Sequence, residues 1–156
     1  LSALKGSAYC LAFICSSATF QPNVASPPVP ISIAYSKRKK ALGISGVLAN
    51  VYSWSCRPFV DATGAEWRGD QIDMLIDRAD GAINICEMKY AKDEFVIDAG
   101  YEQRLRDRMS SFSVATKTKK ALLHTFITTY GVKQNMHSGL VNSEVRMNDL
   151  FEKANT

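Results

Sequence analysis

The stretch that decides the fold is QIDMLIDRADGAINICEMKY, residues 71–90. It holds two runs rich in apolar residues, 71–78 and 82–90, and residues 79–81 between them end in a glycine. Runs of this kind, bounded by turn residues, are typical of antiparallel strands. A three-residue hairpin loop usually ends in a left-handed residue, a conformation that glycine adopts without strain. The stretch therefore predicts a β-hairpin, and the helical patterns on either side of it predict an α/β fold.

The length of the hairpin loop determines which side chains face each other. With a loop of three residues, Asp73 lies directly opposite Glu87, and Gln71 lies directly opposite Lys89. Such partners have Cβ atoms about 4.5–5.5 Å apart. Strict alternation then puts Asp73, Glu87 and Lys89 on one face of the sheet. A loop of two residues would instead put the two carboxylates on opposite faces.

Two neighbouring carboxylates and a lysine predict a metal-dependent hydrolytic site. The carboxylates of Asp73 and Glu87 repel each other unless a cation or a proton lies between them. Mg²⁺ or Mn²⁺ takes oxygen ligands of this kind, and a bound cation activates water and polarises phosphoryl oxygens. Lys89 would orient the water or balance charge on a phosphate, and Gln71 beside it is a further candidate for that role. The spacing alone leaves a second interpretation open, an exposed sheet face with a cross-strand ion pair.

The same residues resemble a known nuclease signature. Gln71-Ile72-Asp73, followed after thirteen residues by Glu87-Met88-Lys89, resembles the motif of the PD-(D/E)xK nuclease superfamily. The stretches ALGISGV, TKTKKALLHTFITTYGVK and SGLVNSEVRMNDLF, within about residues 37–152, resemble the C-terminal domain of archaeal-type P-loop ATPases.

This resemblance implies a restriction-endonuclease-like fold, with a central mixed sheet of four strands flanked by helices. It implies that Asp73 and Glu87 bind Mg²⁺ or Mn²⁺, that Lys89 is the catalytic lysine, and that the domain is an endonuclease acting on DNA. A P-loop ATPase domain, in cis or in trans, is the implied partner. No GxxxxGK[ST] motif occurs in the chain itself.

The front of the chain departs from the family pattern. The superfamily usually places an acidic residue on the first helix, whereas residues 1–36 contain no aspartate or glutamate. A third carboxylate would have to come from elsewhere, for example from Glu66 or Asp70. The alternative function is a catalytically inactive domain of the same fold that docks nucleic acid or a protein partner for the ATPase. A truncated remnant is a third possibility.

The remaining pattern divides the chain into an atypical N-terminal segment, 1–36, and a nuclease-like domain, 37–156. In the first segment we expect a helix over 1–20 and an irregular proline-rich piece over 21–30. Further elements are expected along the rest of the chain: a short helix over 31–42 ended by Gly43, a strand over 47–54, a loop over 57–69, a helix over 99–112, a strand over 120–130, a loop over 131–139, and a closing helix over 143–153 capped by Ser143.

Basic residues make nucleic acid a candidate partner. The formal charge is +4, and the densest basic stretch supplies the candidate phosphate contacts Arg104, Arg108, Lys117 and Lys119. Arg104 and Arg108 share a helix face by their spacing, although a solvated charged face explains the same pattern.

Other features argue against a membrane, a zinc site or further catalytic residues. No apolar run reaches the roughly 18 residues of a membrane span. The four cysteines form no CxxC pair and predict reduced thiols in a cytoplasmic protein. Four further side chains are interpreted as structural or without a partner: His124 as a core residue, His137 as lacking a partner, Trp54 and Trp67 as core or lip residues; Asp77 is interpreted as a strand-end residue.

Overall fold

The structure is a computed structural model that describes residues 39–150 in full and residues 18–22 as backbone. Its main element is a mixed sheet with the strand order β1-β2-β5-β6-β7-β8. The strands are β1 (Ala18–Pro22), β2 (Ala49–Cys56), β5 (Asp70–Arg78), β6 (Ala82–Lys89), β7 (Ala121–Thr128) and β8 (Val141–Arg146). Helix α1 (Ala99–Thr116) connects β6 to β7, which run parallel. The predicted α/β class and mixed sheet are therefore confirmed, but the sheet has six described strands where four were expected.

The hairpin forms as predicted from its turn. Residues 79–81 connect β5 and β6, and Gly81 has a φ of 88°. The antiparallel pairs run from Asp77 opposite Ile83 to Met74 opposite Cys86. The three-residue loop and the register over these four pairs are thus confirmed, whereas the expected pairs of Asp73 with Glu87 and of Gln71 with Lys89 are not among them.

Strand β8 replaces the closing helix that was expected over 143–153. It pairs in parallel with β7, and the Ser143 hydroxyl lies 2.8 Å from the Thr125 hydroxyl. The Val145 side chain is fully buried beneath the sheet's edge. Pairing with β7 and burial of Val145 outweigh the helical spacing of the segment, so the prediction of a helix with Ser143 as its cap was wrong. A short 3₁₀ turn, Asn148–Leu150, follows β8 at the end of the described residues.

Strand β1 corrects a second expectation. Ala18–Pro22 pairs antiparallel with β2, although the sequence pattern assigned it to the end of a helix and the start of an irregular piece. Pro22 is the last residue of this edge strand, a place where the missing N–H group costs no ladder bond. The rest of the predicted helix over 1–20, residues 23–38 with the domain boundary at 36/37, and the last residues, 151–156, lie outside the described residues.

Other boundaries agree with the sequence pattern more closely. Residues 39–41 are helical, and the chain leaves that helix at Gly43, which has a φ of 68°. Helix α1 extends to Thr116, four residues beyond its predicted end. The predicted loop over 57–69 contains a small ladder of β3 (Phe59–Val60) and β4 (Glu66–Trp67).

Helix α1 covers one face of the sheet. Phe112 packs edge-on against Trp54 with ring centroids 5.2 Å apart, so Trp54 is a core residue as expected. A separate apolar cluster on the other face includes Met74, Cys86 and Val145. Cys56 and Cys86 are buried free thiols. Among the described residues, no helix has the length and apolar character that crossing a membrane requires.

Candidate active site around Glu87

Glu87 is a buried carboxylate that three side chains surround. It lies near the end of β6, and only 6% of its surface is exposed. Its Oε1 atom forms an ion pair with Arg108. Its Oε2 atom accepts a hydrogen bond of 2.9 Å from the Tyr101 hydroxyl and lies 3.5 Å from Lys89 Nζ. Because a buried charge is costly unless it is paired, these partners explain why Glu87 is tolerated beneath α1.

Arg108 connects Glu87 to a second carboxylate. Its Nε atom donates a hydrogen bond of 3.1 Å to Asp70 Oδ1, while its Nη1 atom binds Glu87. Burial lowers the pKa of the Arg108 guanidinium, but the carboxylates of Glu87 and Asp70 raise it more, so the net pKa lies above its ordinary value. Arg108 therefore stays a cation between two carboxylates. The prediction that Arg108 contacts a phosphate together with Arg104 stays a prediction, since here its guanidinium pairs with Glu87 and Asp70.

Tyr101 holds both residues of the Glu87–Lys89 pair. Its ring centroid lies 5.1 Å from Lys89 Nζ and 5.1 Å from Arg104 Cζ. Its hydroxyl also donates a hydrogen bond to Glu87. Burial and the nearby Glu87 carboxylate raise the pKa of the Tyr101 hydroxyl above its ordinary value, so it remains a proton donor. Sequence reasoning missed this role, because Tyr101 fitted the apolar spacing of the helix equally well.

Asp73 lies just beyond the paired residues of β5 and β6, which end at Met74 opposite Cys86, so its expected pairing with Glu87 is not among the pairs that form. It is exposed, and its Oδ1 atom accepts a hydrogen bond of 2.8 Å from Gln71 Nε2. Gln71 was expected opposite Lys89 as a candidate to orient the water or a phosphate, and that role stays a prediction. In an extended strand, side chains two residues apart lie on the same face of the sheet, which brings the Gln71 amide within reach of Asp73.

Strand β5 is irregular at this point. Against β2, Tyr52 pairs with Leu75 but Trp54 pairs with Ile72, so β5 carries an extra residue between these pairs. Ile72 and Leu75 consequently enter the same core cluster, although strict alternation would separate them. The argument that alternation alone fixes one face for Asp73 and Glu87 therefore fails, because it assumed a regular strand.

The two candidates for a third carboxylate behave differently. Asp70 is half-buried and reaches the site through Arg108. Glu66 is exposed on β4, where it pairs with Val60. Across the described part of the chain, no three histidine, cysteine, aspartate or glutamate side chains lie close enough together to hold a metal ion. Asp70 and Glu87 share Arg108, but the described acids are not assembled into a metal-binding cluster.

Two of the predicted basic residues lie away from Glu87. Lys117 and Lys119 are exposed just before β7. The start of β7 pairs with Ala82, and its sixth residue, Phe126, pairs with Glu87. Five strand residues correspond to about 16 Å, so these lysines lie near the hairpin turn, at the opposite end of the sheet from the carboxylates.

The remaining polar residues are explained by their structural surroundings. His124 is buried, and burial lowers its pKa to about 4, an effect that Glu87 partly offsets and that Arg108 and Arg106 reinforce. It is the neutral core histidine that was expected. His137 was expected to lack a partner, but its Nδ1 atom lies 2.7 Å from Glu102 Oε2. Asp77 is buried and pairs with Lys120 at 2.5 Å.

The loop before β5 owes its shape to another carboxylate. Asp61 accepts hydrogen bonds from Thr63, Ala65 and the indole of Trp67, whose ring stacks on Phe59 with centroids 6.3 Å apart. These bonds, the Thr63 hydroxyl's first, lower the pKa of Asp61 below its ordinary range. Trp67 therefore contacts Asp61 and Phe59 within this small hairpin.

Open space adjoins the lysine end of the site. A groove of about 310 Å³ lies beside Lys89 and is lined mainly by apolar side chains. Tyr90, which follows Lys89, is 84% exposed at its rim. Lys89 is thus accessible to a ligand from solvent.

Comparison with known proteins finds little sequence or structural similarity. No family model matches the chain, and no curated protein matches it. Among solved structures, the chain is similar to the crystal structure of AF1548, a protein of unknown function, with a TM-score of 0.38 and 10% sequence identity. The match covers 72% of this chain and 56% of that one, so the chain spans little more than half of that protein's length. A structural similarity this weak gives no information about function.

Proposed function

We propose that the domain is a metal-dependent phosphodiesterase of the restriction-endonuclease-like type, acting on DNA. The observation that carries this proposal is the convergence of Glu87 and Lys89, whose charged atoms lie 3.5 Å apart, with the carboxylate of Asp70 joined to Glu87 through Arg108. An acid and a lysine two residues apart on one strand, with a second acid beside them, are groups that metal-assisted phosphodiester hydrolysis uses.

Carboxylate oxygens are the ligands that a hard divalent cation prefers, and the described acids supply them without forming a group of three. The carboxylates of Asp73 and Glu87 would hold Mg²⁺ or Mn²⁺, with Asp70 as the third acid, because these ions prefer oxygen ligands. Glu87 Oε1 already binds a cation, the Arg108 guanidinium, so positive charge is favoured there. When bound, the metal would supply an activated water and would polarise the phosphoryl group.

The chain's own residues would position the reactants. Hydrolysis forms a bond from a water oxygen to phosphorus and breaks the bond from phosphorus to the leaving oxygen, which takes up a proton. Tyr101 holds Glu87 Oε2 at 2.9 Å, and Gln71 holds Asp73 Oδ1 at 2.8 Å, so each acid keeps one oxygen fixed. Lys89, above the Tyr101 ring, would neutralise charge that develops on the phosphate.

The substrate and the partner follow from charge and from the resemblance. Arg104 lies beside the site, and the exposed Lys117 and Lys119 lie about 16 Å along the sheet. That separation corresponds to about five phosphates of one DNA strand. The linkage to a P-loop ATPase domain, in cis or in trans, rests on the resemblance alone, and a cytoplasmic location rests on the free thiols of Cys56 and Cys86.

A second candidate function is a catalytically inactive domain that docks nucleic acid or a protein partner for the ATPase. One observation favours it: Arg108 already compensates both Asp70 and Glu87. A site whose charges are satisfied by the protein itself does not need a metal.

Plasmid cleavage in Mg²⁺ or Mn²⁺, with calorimetric metal titration alongside, tests the proposal. We expect metal-dependent nicking by the wild type and a loss of about a hundredfold or more in Asp73→Ala and Lys89→Ala. Asp73 is exposed, so its replacement should leave the fold intact. Glu66→Ala removes an exposed acid outside the site and is the matched control.

The two candidate functions predict different results in that experiment. DNA binding without cleavage, and without metal binding at millimolar concentration, would reject the phosphodiesterase and leave the docking domain. Cleavage that persists in Asp73→Ala would point to a contaminating nuclease.

A further inference from the structure

We propose that the groove beside Lys89 is a nucleobase-binding subsite, and that the substrate is therefore DNA with unpaired bases, such as a single strand or a frayed end. The inference rests on the proposed phosphodiesterase function and narrows its substrate class. It is carried by the ring of Tyr90, which lies exposed at the rim of an apolar groove and follows directly after the lysine of the proposed site.

Apolar side chains form most of the groove. Met88 and Met147 line it while 48% and 42% of their surface stays exposed, and Ile127 and Leu150 line it as well. Methionine side chains are flexible and polarisable, and they pack favourably against aromatic rings. Exposed apolar surface that is rimmed by polar residues marks a binding site. The groove is therefore suited to a flat, aromatic group.

Tyr90 provides a surface on which such a group can stack. The residue is 84% exposed, so most of its ring is available to a ligand. Unpaired bases stack on exposed aromatic side chains, and the interaction tolerates any base because every base has a π face. The groove's volume of about 310 Å³ is at the lower end of the range for small-molecule sites, which suits a single nucleoside.

The charge of the lining favours a nucleotide as the occupant. Among the described residues that line the groove, Lys89 alone carries a charge. The same ammonium group is the cation that the proposed function places at a phosphate. A nucleotide joins one flat aromatic group to one anion, so its base would fill the groove while its phosphate meets Lys89.

A groove of this kind selects unpaired DNA. In a duplex each base is stacked and paired, and it can enter a pocket only after extrusion, which costs free energy. A single strand or a frayed end needs no such step. Arg104 lies over the Tyr101 ring that also contacts Lys89, so it supplies a second cation for the backbone next to the bound nucleotide.

Three short fluorescent probes test the subsite: a single strand, the same strand with abasic sites in place of its bases, and the blunt duplex. Anisotropy titrations in EDTA measure affinity without cleavage and without a contribution from bound metal. We expect the wild type to bind the single strand about tenfold more tightly than the abasic strand, because stacking of one base contributes about that factor. The duplex should also bind more weakly than the single strand, since its bases are not available.

Two changes at Tyr90 separate stacking from a structural role. Tyr90→Ala should lose the preference for the base-bearing strand, whereas Tyr90→Phe keeps the ring and should retain it. Because Tyr90 is exposed, both variants should fold, and thermal unfolding verifies this. Tyr130→Ala removes another exposed ring, which lines a different cavity, and it should retain the preference as the matched control. A preference that survives in Tyr90→Ala, or an equal loss of affinity for all three probes, would contradict the assignment.

The outcomes also separate this inference from the proposed function. If the wild type nicks plasmid in Mn²⁺ but binds the abasic and base-bearing strands equally, the subsite is wrong and the phosphodiesterase stands. A preference that depends on Tyr90, without cleavage in Mn²⁺, would support the subsite and reject the phosphodiesterase. If no probe binds, the subsite is wrong, and a dimer that Tyr90→Ala converts into a monomer would identify the groove as an interface between copies of the chain.

Discussion

At the scale of single residues, the proposed function depends mainly on Glu87 and the side chains that contact it. The carboxylate has one oxygen on Arg108 and the other on Tyr101 and Lys89. Each oxygen of Glu87 thus has its own partners. The function of the site therefore depends as much on the residues that hold Glu87 as on the acid itself.

Replacing Tyr101 by phenylalanine tests the hydrogen bond to Glu87 Oε2. The variant keeps the ring beside Lys89 and removes the hydroxyl that donates to Glu87. Since a hydrogen bond to a charged group contributes about 1.5–3 kcal/mol and this one is partly exposed, we expect a single-turnover cleavage rate about tenfold lower. Tyr130→Phe, on a ring that is 55% exposed, is the control. Equal rates in the two variants would contradict the assigned role.

Replacing Arg108 by methionine tests the buried ion pair. Glu87 would lose its direct cation while 6% exposed, so we expect a loss of about 2 kcal/mol in the free energy of unfolding without metal. Mn²⁺ should restore more stability to this variant than to the wild type, because binding to the native state stabilises it. Denaturant unfolding with and without Mn²⁺ measures both effects. A variant as stable as the wild type in the absence of metal would show that the ion pair between Arg108 and Glu87 does not stabilise the fold.

His124 predicts a dependence of stability on pH. Burial lowers its pKa to about 4 in the native state, below its value of 6.5 in a model compound. The unfolded chain therefore binds the proton first, so the contribution is complete above pH 6.5 and is lost as the pH falls toward 4. We expect His124→Leu to lose on the order of 2 kcal/mol less stability than the wild type between pH 7 and pH 4.5. Parallel pH curves from denaturant titrations would refute the assignment.

At the scale of elements, the sequence predicts local structure better than long-range pairing. The β5–β6 hairpin and its register follow from residues 71–90 alone, because the turn at Gly81 fixes them. The bulge at Asp73 depends on pairing with β2. The direction of Arg108 depends on how α1 packs over the sheet. Neither feature is encoded in a local pattern. The motif of Asp73, Glu87 and Lys89 could therefore be predicted, but the ion pairs that Arg108 forms with two carboxylates could not.

Strand β8 shows the same limit and can be tested directly. In the segment predicted to be helical, Val145 is fully buried. We expect Val145→Ala to lower the free energy of unfolding by about 2 kcal/mol, because truncating a buried side chain leaves a cavity. In a surface helix the same change would be neutral or stabilising, since alanine is the better helix former. Met147→Ala, at a side chain that is 42% exposed, provides the comparison.

At the scale of the whole molecule, charge is distributed between two ends of the sheet. The carboxylates and Lys89 lie at one end, and Lys117 and Lys119 lie at the other, about 16 Å away. One helix, α1, connects them: Tyr101 and Arg108 reach the site, and the helix ends beside the two lysines. A DNA strand that passes along this helix would meet both ends at once.

This arrangement predicts that the lysines contribute to DNA affinity and not to chemistry. In the double variant Lys117→Ala/Lys119→Ala, the slope of log affinity against log salt should fall by about 2, because two fewer counterions are released from the DNA. The cleavage rate at saturating DNA should stay unchanged, since neither lysine reaches Glu87. Arg57→Ala/Arg68→Ala removes the same charge from exposed positions elsewhere and controls for net charge. If both double variants weaken binding equally, DNA is attracted by overall charge and does not follow α1.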